Sequence, residues 1–147
     1  MKSRSRATLF LIEQLIVIAV FALSAAACAR ILTAAYFDAS TAKDLSYAIL
    51  AAENGADSYK ATNGDLGSVA RLLGGATGTV DGSTAVIVHY DKDWQVTNES
   101  EATYRLTLQN GTQESELVIR GELTVVKFSG STADTILEIT VATLVNS

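Results

Sequence analysis

Glu13 is the residue whose chemistry most needs a reason. It is a carboxylate inside Leu9 to Ala29, a run of 21 residues whose only other polar members are Gln14 and Ser24. A charged side chain costs about 2.5–3.5 kcal/mol at the centre of a membrane helix and less near its end, where Glu13 lies. Cys28 is the only cysteine, so an intramolecular disulfide, a redox pair and a zinc finger are all excluded. It follows Leu23-Ser24-Ala25-Ala26-Ala27, which leaves three readings open. Cys28 is a site of lipidation with loss of the preceding helix, the alanines are an ordinary signal-peptidase site, or Cys28 is a small apolar packing residue.

The remaining candidates are weaker. His89 is the only histidine and has no cysteine or second histidine to share a metal, so a structural role in a strand is expected. Asp91-Lys92-Asp93 resembles half of a calcium loop but lacks its Gly and distal Glu; a solvated turn is expected. Trp94, flanked by acids, reads as an anchor at a sheet edge or as an exposed recognition residue. No Gly-rich loop joins a strand to a helix, and no Ser or Cys nucleophile has a plausible base. The expectation is a protein that is not an enzyme, with no catalytic residue, no cofactor and no metal site.

The elements that position Glu13 come next. At about 1.5 Å per residue, Leu9 to Ala29 is roughly 31 Å long, enough to cross the hydrocarbon core of a bilayer. Lys2, Arg4 and Arg6 precede it, a cationic cluster that favours a cytoplasmic N-terminus. Residues 1–30 hold four Lys/Arg against one Glu, and the rest of the 147-residue chain holds seven against fifteen Asp/Glu. Such an acidic remainder has no basic patch for a phosphate backbone, so no nucleic-acid partner is expected. Proline is absent, and nothing forces the helix to kink or stop.

Past Arg30 the helical pattern turns amphipathic. Ile31, Asp38, Leu45, Ala52 and Tyr59 form one seven-residue series, and Ala35, Ala42, Ile49 and Ala56 form another. Together they make one apolar stripe with Asp38 as its single exception. Asn54-Gly55 interrupts the helix propensity, and Thr62-Asn63-Gly64 is a firmer stop. A helix from Leu9 to Lys60 would be roughly 78 Å long. Asp65 is placed to cap a short helix ending at Gly74-Gly75.

After a loop over Ala76 to Ser83, four strands are expected: Thr84 to Tyr90, Ala102 to Leu108, Leu117 to Phe128 and Ile136 to Val145. The fold class is therefore α+β, a long N-terminal helix packed on a small four-stranded antiparallel sheet. The stripe on the helix supplies the cover for the sheet's apolar face. The domain reading is a basic cytoplasmic leader over 1–8, a transmembrane half over 9–29, an amphipathic continuation over 30–60 and an exterior α+β head over 61–147.

These features together resemble the type IV pilin and pseudopilin family. The local match is Leu9-Phe10-Leu11-Ile12-Glu13-Gln14-Leu15-Ile16-Val17-Ile18-Ala19, where family members read Phe-Thr-Leu-Ile-Glu-Leu-Leu-Ile-Val. The whole chain is similar to small pilin-like proteins of Gram-positive anaerobes, with their Ser-Arg-rich leader, Leu-Phe-Leu start and Asp-x-Asp-Trp turn, here Asp91 to Trp94. The resemblance implies a lollipop-shaped minor subunit of a type IV pilus, a secretion pseudopilus or a competence pseudopilus. It implies leader cleavage between Thr8 and Leu9, followed by N-methylation, although the family carries Gly where this chain has Thr8. It also implies that Glu13 is an assembly residue, pairing with the ammonium terminus of a neighbouring or its own chain. The implied partners are other pilin-like subunits met through the N-terminal helix, membrane lipid and the inner-membrane assembly machinery. The competing reading is a membrane-anchored or lipidated extracellular binding domain that never enters a filament.

Overall fold

The computed structural model describes residues 2–111 and 118–144, with side chains from Thr8 onward. Its first element is a single helix, α1, over Lys2–Ala61. Two compact units divide the chain, Met1–Ala42 and Lys43–Ser147. In the first unit, every residue from Thr8 to Ala42 is exposed, because the helix there is apolar all round and has nothing to pack on.

In the second unit the helix face on the sheet is only partly the expected stripe, for Leu45 and Ile49 of that stripe stay exposed. Ala48, Ala51, Ala52, Ala56 and Tyr59 turn inward and are buried. Small residues dominate this face, so the helix lies close to the strands. Gly55 marks the closest approach, since a Cβ there would sit 2.7 Å from the Leu123 Cδ1. The glycine that weakens the helix locally is what lets it settle on the sheet. At the helix end Asn63 and Gly64 take positive φ, and the Gly64 N–H donates to the Tyr59 carbonyl at 2.9 Å. Helix α2, Leu66–Leu73, follows; the Asp65 carboxylate accepts from the Ser68 N–H, and Gly74 closes it in the left-handed conformation.

The sheet is antiparallel and has six strands rather than four. They are β1 (Ala76–Val80), β2 (Ser83–Tyr90), β3 (Val96–Thr97), β4 (Tyr104–Asn110), β5 (Val118–Ser129) and β6 (Thr132–Leu144). The order is β1-β2-β4-β5-β6, with β3 paired to β2. β1 corrects the expected loop over Ala76 to Ser83. Its Ala-Thr-Gly-Thr composition carries little strand signal, yet it pairs with β2 through Val80↔Ser83 to Ala76↔Ile87. The turn between them is Asp81-Gly82, both at positive φ, the geometry that matches the twist of a two-residue hairpin. β3 was missed because two residues held by the register His89↔Thr97 and Tyr90↔Val96 carry no periodicity. β6 begins at Thr132, before the expected Ile136, because Gly130-Ser131 is a second tight hairpin. Leu117 and Val145, the expected outer ends of β5 and β6, lie outside the described residues.

Val86 and Val88 on β2, Leu106 and Leu108 on β4, and Leu123 and Val125 on β5 are fully buried against the helix. Each contributes on the order of 1.5–3 kcal/mol by leaving water. Gly121 makes room for the Tyr59 ring, because a Cβ there would lie 3.0 Å from both Tyr59 Cζ and Val141 Cγ1. The Tyr59 hydroxyl donates to Asn110 Oδ1 at 2.9 Å, so the largest buried side chain of the helix also has its polar end paired.

Candidate functional site

In the first unit, Thr8, Leu9, Glu13 and Cys28 all lie on exposed helix surface. One helix near the N-terminus is long and apolar enough to span a membrane, which suggests a single-pass anchor. Its polar hydroxyls are turned inward on the backbone. Ser24 Oγ donates to the Val20 carbonyl and Thr33 Oγ1 to the Ala29 carbonyl, each at 2.9 Å, so neither needs water. Glu13 has no such local partner among the described residues, and neither do Arg30 and Asp38. These are charges of the first unit, among its described residues, that the chain itself does not pair. Beyond Arg30, Ile31, Leu32, Tyr36 and Phe37 continue the bare apolar surface, with Tyr36 and Phe37 edge to face at 6.2 Å.

The second unit contains a polar cluster that local patterns did not announce. Asp44 sits beside the buried helix face, its side chain 14% exposed, and receives a hydrogen bond from the Tyr104 hydroxyl at 2.8 Å and another from the Lys127 ammonium. Burial alone would raise the Asp44 pKa. The Lys127 and Tyr104 hydrogen bonds outweigh it, helped by the charges of Lys127 and Lys43, and hold the carboxyl below its usual range. Burial, with the adjacent carboxylate, pushes the Tyr104 hydroxyl up to about 12, and the nearby Trp94 indole offsets this only in part. The partners are 60 and 83 residues away from Asp44, so no short-range motif could reveal them. The available signal was a carboxylate one turn before Ala48, on the edge of the buried stripe.

Trp94 belongs to the same cluster. It takes φ +59 in the turn after β2, stacked on Tyr104 at 4.1 Å between centroids and on Tyr47 at 5.8 Å. A left-handed backbone costs a bulky residue about 1–2 kcal/mol, and stacking on two rings offsets it. Trp94 is thus an anchor, half-buried, rather than an exposed recognition residue. Asp91 shapes the turn, its Oδ1 accepting from the Asp93 and Gln95 N–H groups at 2.8 and 2.9 Å. With that oxygen committed to the backbone, the half calcium loop is a capped turn.

His89 lies on the opposite sheet face, beside a shallow groove of about 320 Å³ that Gly74, Thr77, Thr97 and Glu99 also line. Among the described residues, no group of three His, Cys, Asp or Glu side chains could hold a metal ion. The chain matches no protein-family model, no curated protein and no solved structure. What is established is an α+β chain whose long N-terminal helix is apolar enough to cross a membrane and packs its later turns on an antiparallel sheet.

Proposed function

We propose that this chain is a minor pilin-like subunit of a type IV pilus, a secretion pseudopilus or a competence pseudopilus. It acts mechanically, assembling through its N-terminal helix. Residues 9–29 cross the membrane with the Lys2, Arg4 and Arg6 end in the cytoplasm, following the distribution of positive charge, and the acidic α+β unit faces outward.

The observation that carries this reading is the mismatch between the bare apolar helix and a bilayer. From Leu9 to Phe37 the only polar residues are Glu13, Gln14, Ser24, Arg30 and Thr33, and the whole stretch is exposed. Its 29 residues span about 43 Å against a hydrocarbon core of about 30 Å. Tilt alone would have to exceed about 45° to hide it, beyond the usual range of 0–40°. A neighbouring protein helix covers the surplus. Glu13 fits the same account, because a carboxylate packed among apolar helices is tolerated when a neighbouring subunit brings a positive group to it. A plain anchor has no use for either feature.

Intact-mass analysis of the protein purified from native membrane tests this. Full length, or loss of eight residues at Thr8-Leu9, retains the assembly helix and supports the reading. A chain that begins at Cys28 with lipid, or just ahead of it, lacks the helix and overturns the reading in favour of a surface-tethered domain.

A further inference from the structure

The face of the sheet turned away from α1 carries a polar cluster of its own. Leu106 and Leu108 are buried against the helix, so strand alternation puts Arg105, Thr107 and Gln109 on the opposite face of β4. The register sets Val126, Thr124 and Glu122 of β5 beside them. Val80 and Asp81, at the turn between β1 and β2, complete a trough of about 170 Å³. Two of its side chains are incompletely paired. Arg105 Nε and Gln109 Oε1 are both buried, and neither atom has a hydrogen-bond partner among the described residues. Both side chains are nonetheless held in place. The Arg105 guanidinium lies over the Phe128 ring, 5.2 Å from its centroid, and Gln109 Nε2 donates to Glu122 Oε2 at 3.5 Å. That bond settles which end of the amide is which, because a flipped Gln109 would set its oxygen against a carboxylate. The trough thus presents one unmet N–H donor and one unmet carbonyl acceptor at fixed places.

We propose that this trough binds one ring of a neutral saccharide. Its ligand must bring an acceptor to Arg105 and a donor to Gln109, and the carboxylates of Asp81 and Glu122 call for further donors. An anion such as phosphate is disfavoured, because two carboxylates stand against one guanidinium. A cation would satisfy the acids but leave Arg105 Nε facing a like charge. Vicinal hydroxyls meet every demand, since each donates once and accepts twice. The hydroxyls of Thr107 and Thr124 can serve either way, and Val80 and Val126 give the C–H groups of a sugar an apolar wall. A peptide offers only one backbone N–H per residue, too few donors for three acceptors around one small trough. The Arg105 and Gln109 Cα atoms are about 14 Å apart at 3.4 Å per residue, and drug-sized ligands occupy roughly 300–1,000 Å³. The smaller trough therefore takes a single ring, either a free monosaccharide or one unit of a polysaccharide. The site lies wholly in the second unit, so it stands whether or not the first unit assembles into a filament.

Calorimetric titration of the full-length protein, held in a detergent that carries no sugar, tests this. The probes are D-glucose, D-galactose, D-mannose and N-acetyl-D-glucosamine, followed by soluble polysaccharides of the same units. The expected result is saturable binding of at least one neutral monosaccharide, weakened about tenfold or more by Arg105→Met, Gln109→Met and Glu122→Gln. Binding of a polysaccharide alone, with the same sensitivity to the three variants, assigns the trough to a unit within a chain and equally supports the proposal. Thermal unfolding separates a binding role from a structural one. Gln109→Met removes a buried oxygen that the fold leaves unpaired, so its Tm should equal or exceed that of the wild type. A lower Tm gives Gln109 a structural role and overturns the proposal. So does binding of no saccharide, binding that the three variants leave unchanged, or preferential binding of glucuronate, inorganic phosphate or acetyl-trialanine amide.

Discussion

Replacing Asp44 by Asn tests how the second unit holds its segment of α1 on the sheet. The amide keeps the shape and can still accept from the Tyr104 hydroxyl, but it gives the Lys127 ammonium no opposite charge. A hydrogen bond to a charged group contributes about 1.5–3 kcal/mol and a neutral one about 0.5–1.5 kcal/mol. Lys127 is 35% exposed and can turn to solvent, so the lower part of the difference applies, about 1 kcal/mol at pH 7. For a unit of roughly 100 residues that corresponds to about 4–8 °C in Tm. The acid limb adds a sharper signature. The folded-state pKa of Asp44 is depressed, so its contribution is present above the ordinary carboxylate range and is lost as pH falls through the folded value. The gap between wild type and Asp44→Asn is therefore expected to close on acidification from pH 5 towards pH 2. The assay is thermal unfolding of the full chain in detergent, followed by Trp94 fluorescence, since that ring stacks on Tyr104. Equal Tm values at neutral pH, or a gap that stays constant through the acid range, would refute the reasoning.

The alkaline side carries the opposite sign. Tyr104 titrates near 12 in the folded chain against about 10 unfolded, so its contribution is whole below pH 10 and disappears between pH 10 and 12. Tyr104→Phe should lose less stability between pH 9.5 and 11.5, by about 1.5–2 kcal/mol, measured by urea midpoints at those two values; equal losses would contradict the assignment. Gly121→Ala should cost about 1–3 kcal/mol, because the new methyl meets the Tyr59 ring and Val141 in a filled interior. An unchanged denaturation midpoint would show that the Tyr59 ring has room to move. Trp94→Ala should lower Tm by about 4–12 °C, because the stacking on two rings is lost while Ala keeps the Cβ that strains the left-handed backbone, and an unchanged or raised Tm would contradict the anchoring role.

Much of the architecture is legible in local chemistry. The seven-residue series mark the buried helix face only in part, since Ala52, Ala56 and Tyr59 are buried while Leu45 and Ile49 stay exposed and Ala48 and Ala51 take their place; Asp65 caps α2 and Gly74 ends it. Asn54-Gly55 reads as a weakness only while the sheet is out of view; against Leu123 it is the point of closest packing. β1 escaped because its side chains carry almost no apolar alternation, and its strand state depends on backbone pairing with β2. The Asp81-Gly82 pair was the cue that signals this hairpin. The Asp44 cluster escaped for a different reason, since its partners come from β4 and β5, far along the chain. Glu13, Arg30 and Asp38 lie on exposed helix surface in the first unit, so the fold of that unit adds no contact from which their role could be read.

The most direct measurement of the central claim is the incorporation of Glu13 variants into sheared surface filaments, quantified against the amount remaining in the membrane. Glu13→Gln and Glu13→Ala should both insert in the membrane at wild-type levels, and both should be depleted from filaments at least tenfold, about 1.4 kcal/mol or more of lost pairing. Wild-type incorporation of both variants would contradict the claim that a neighbour's positive charge meets this carboxylate.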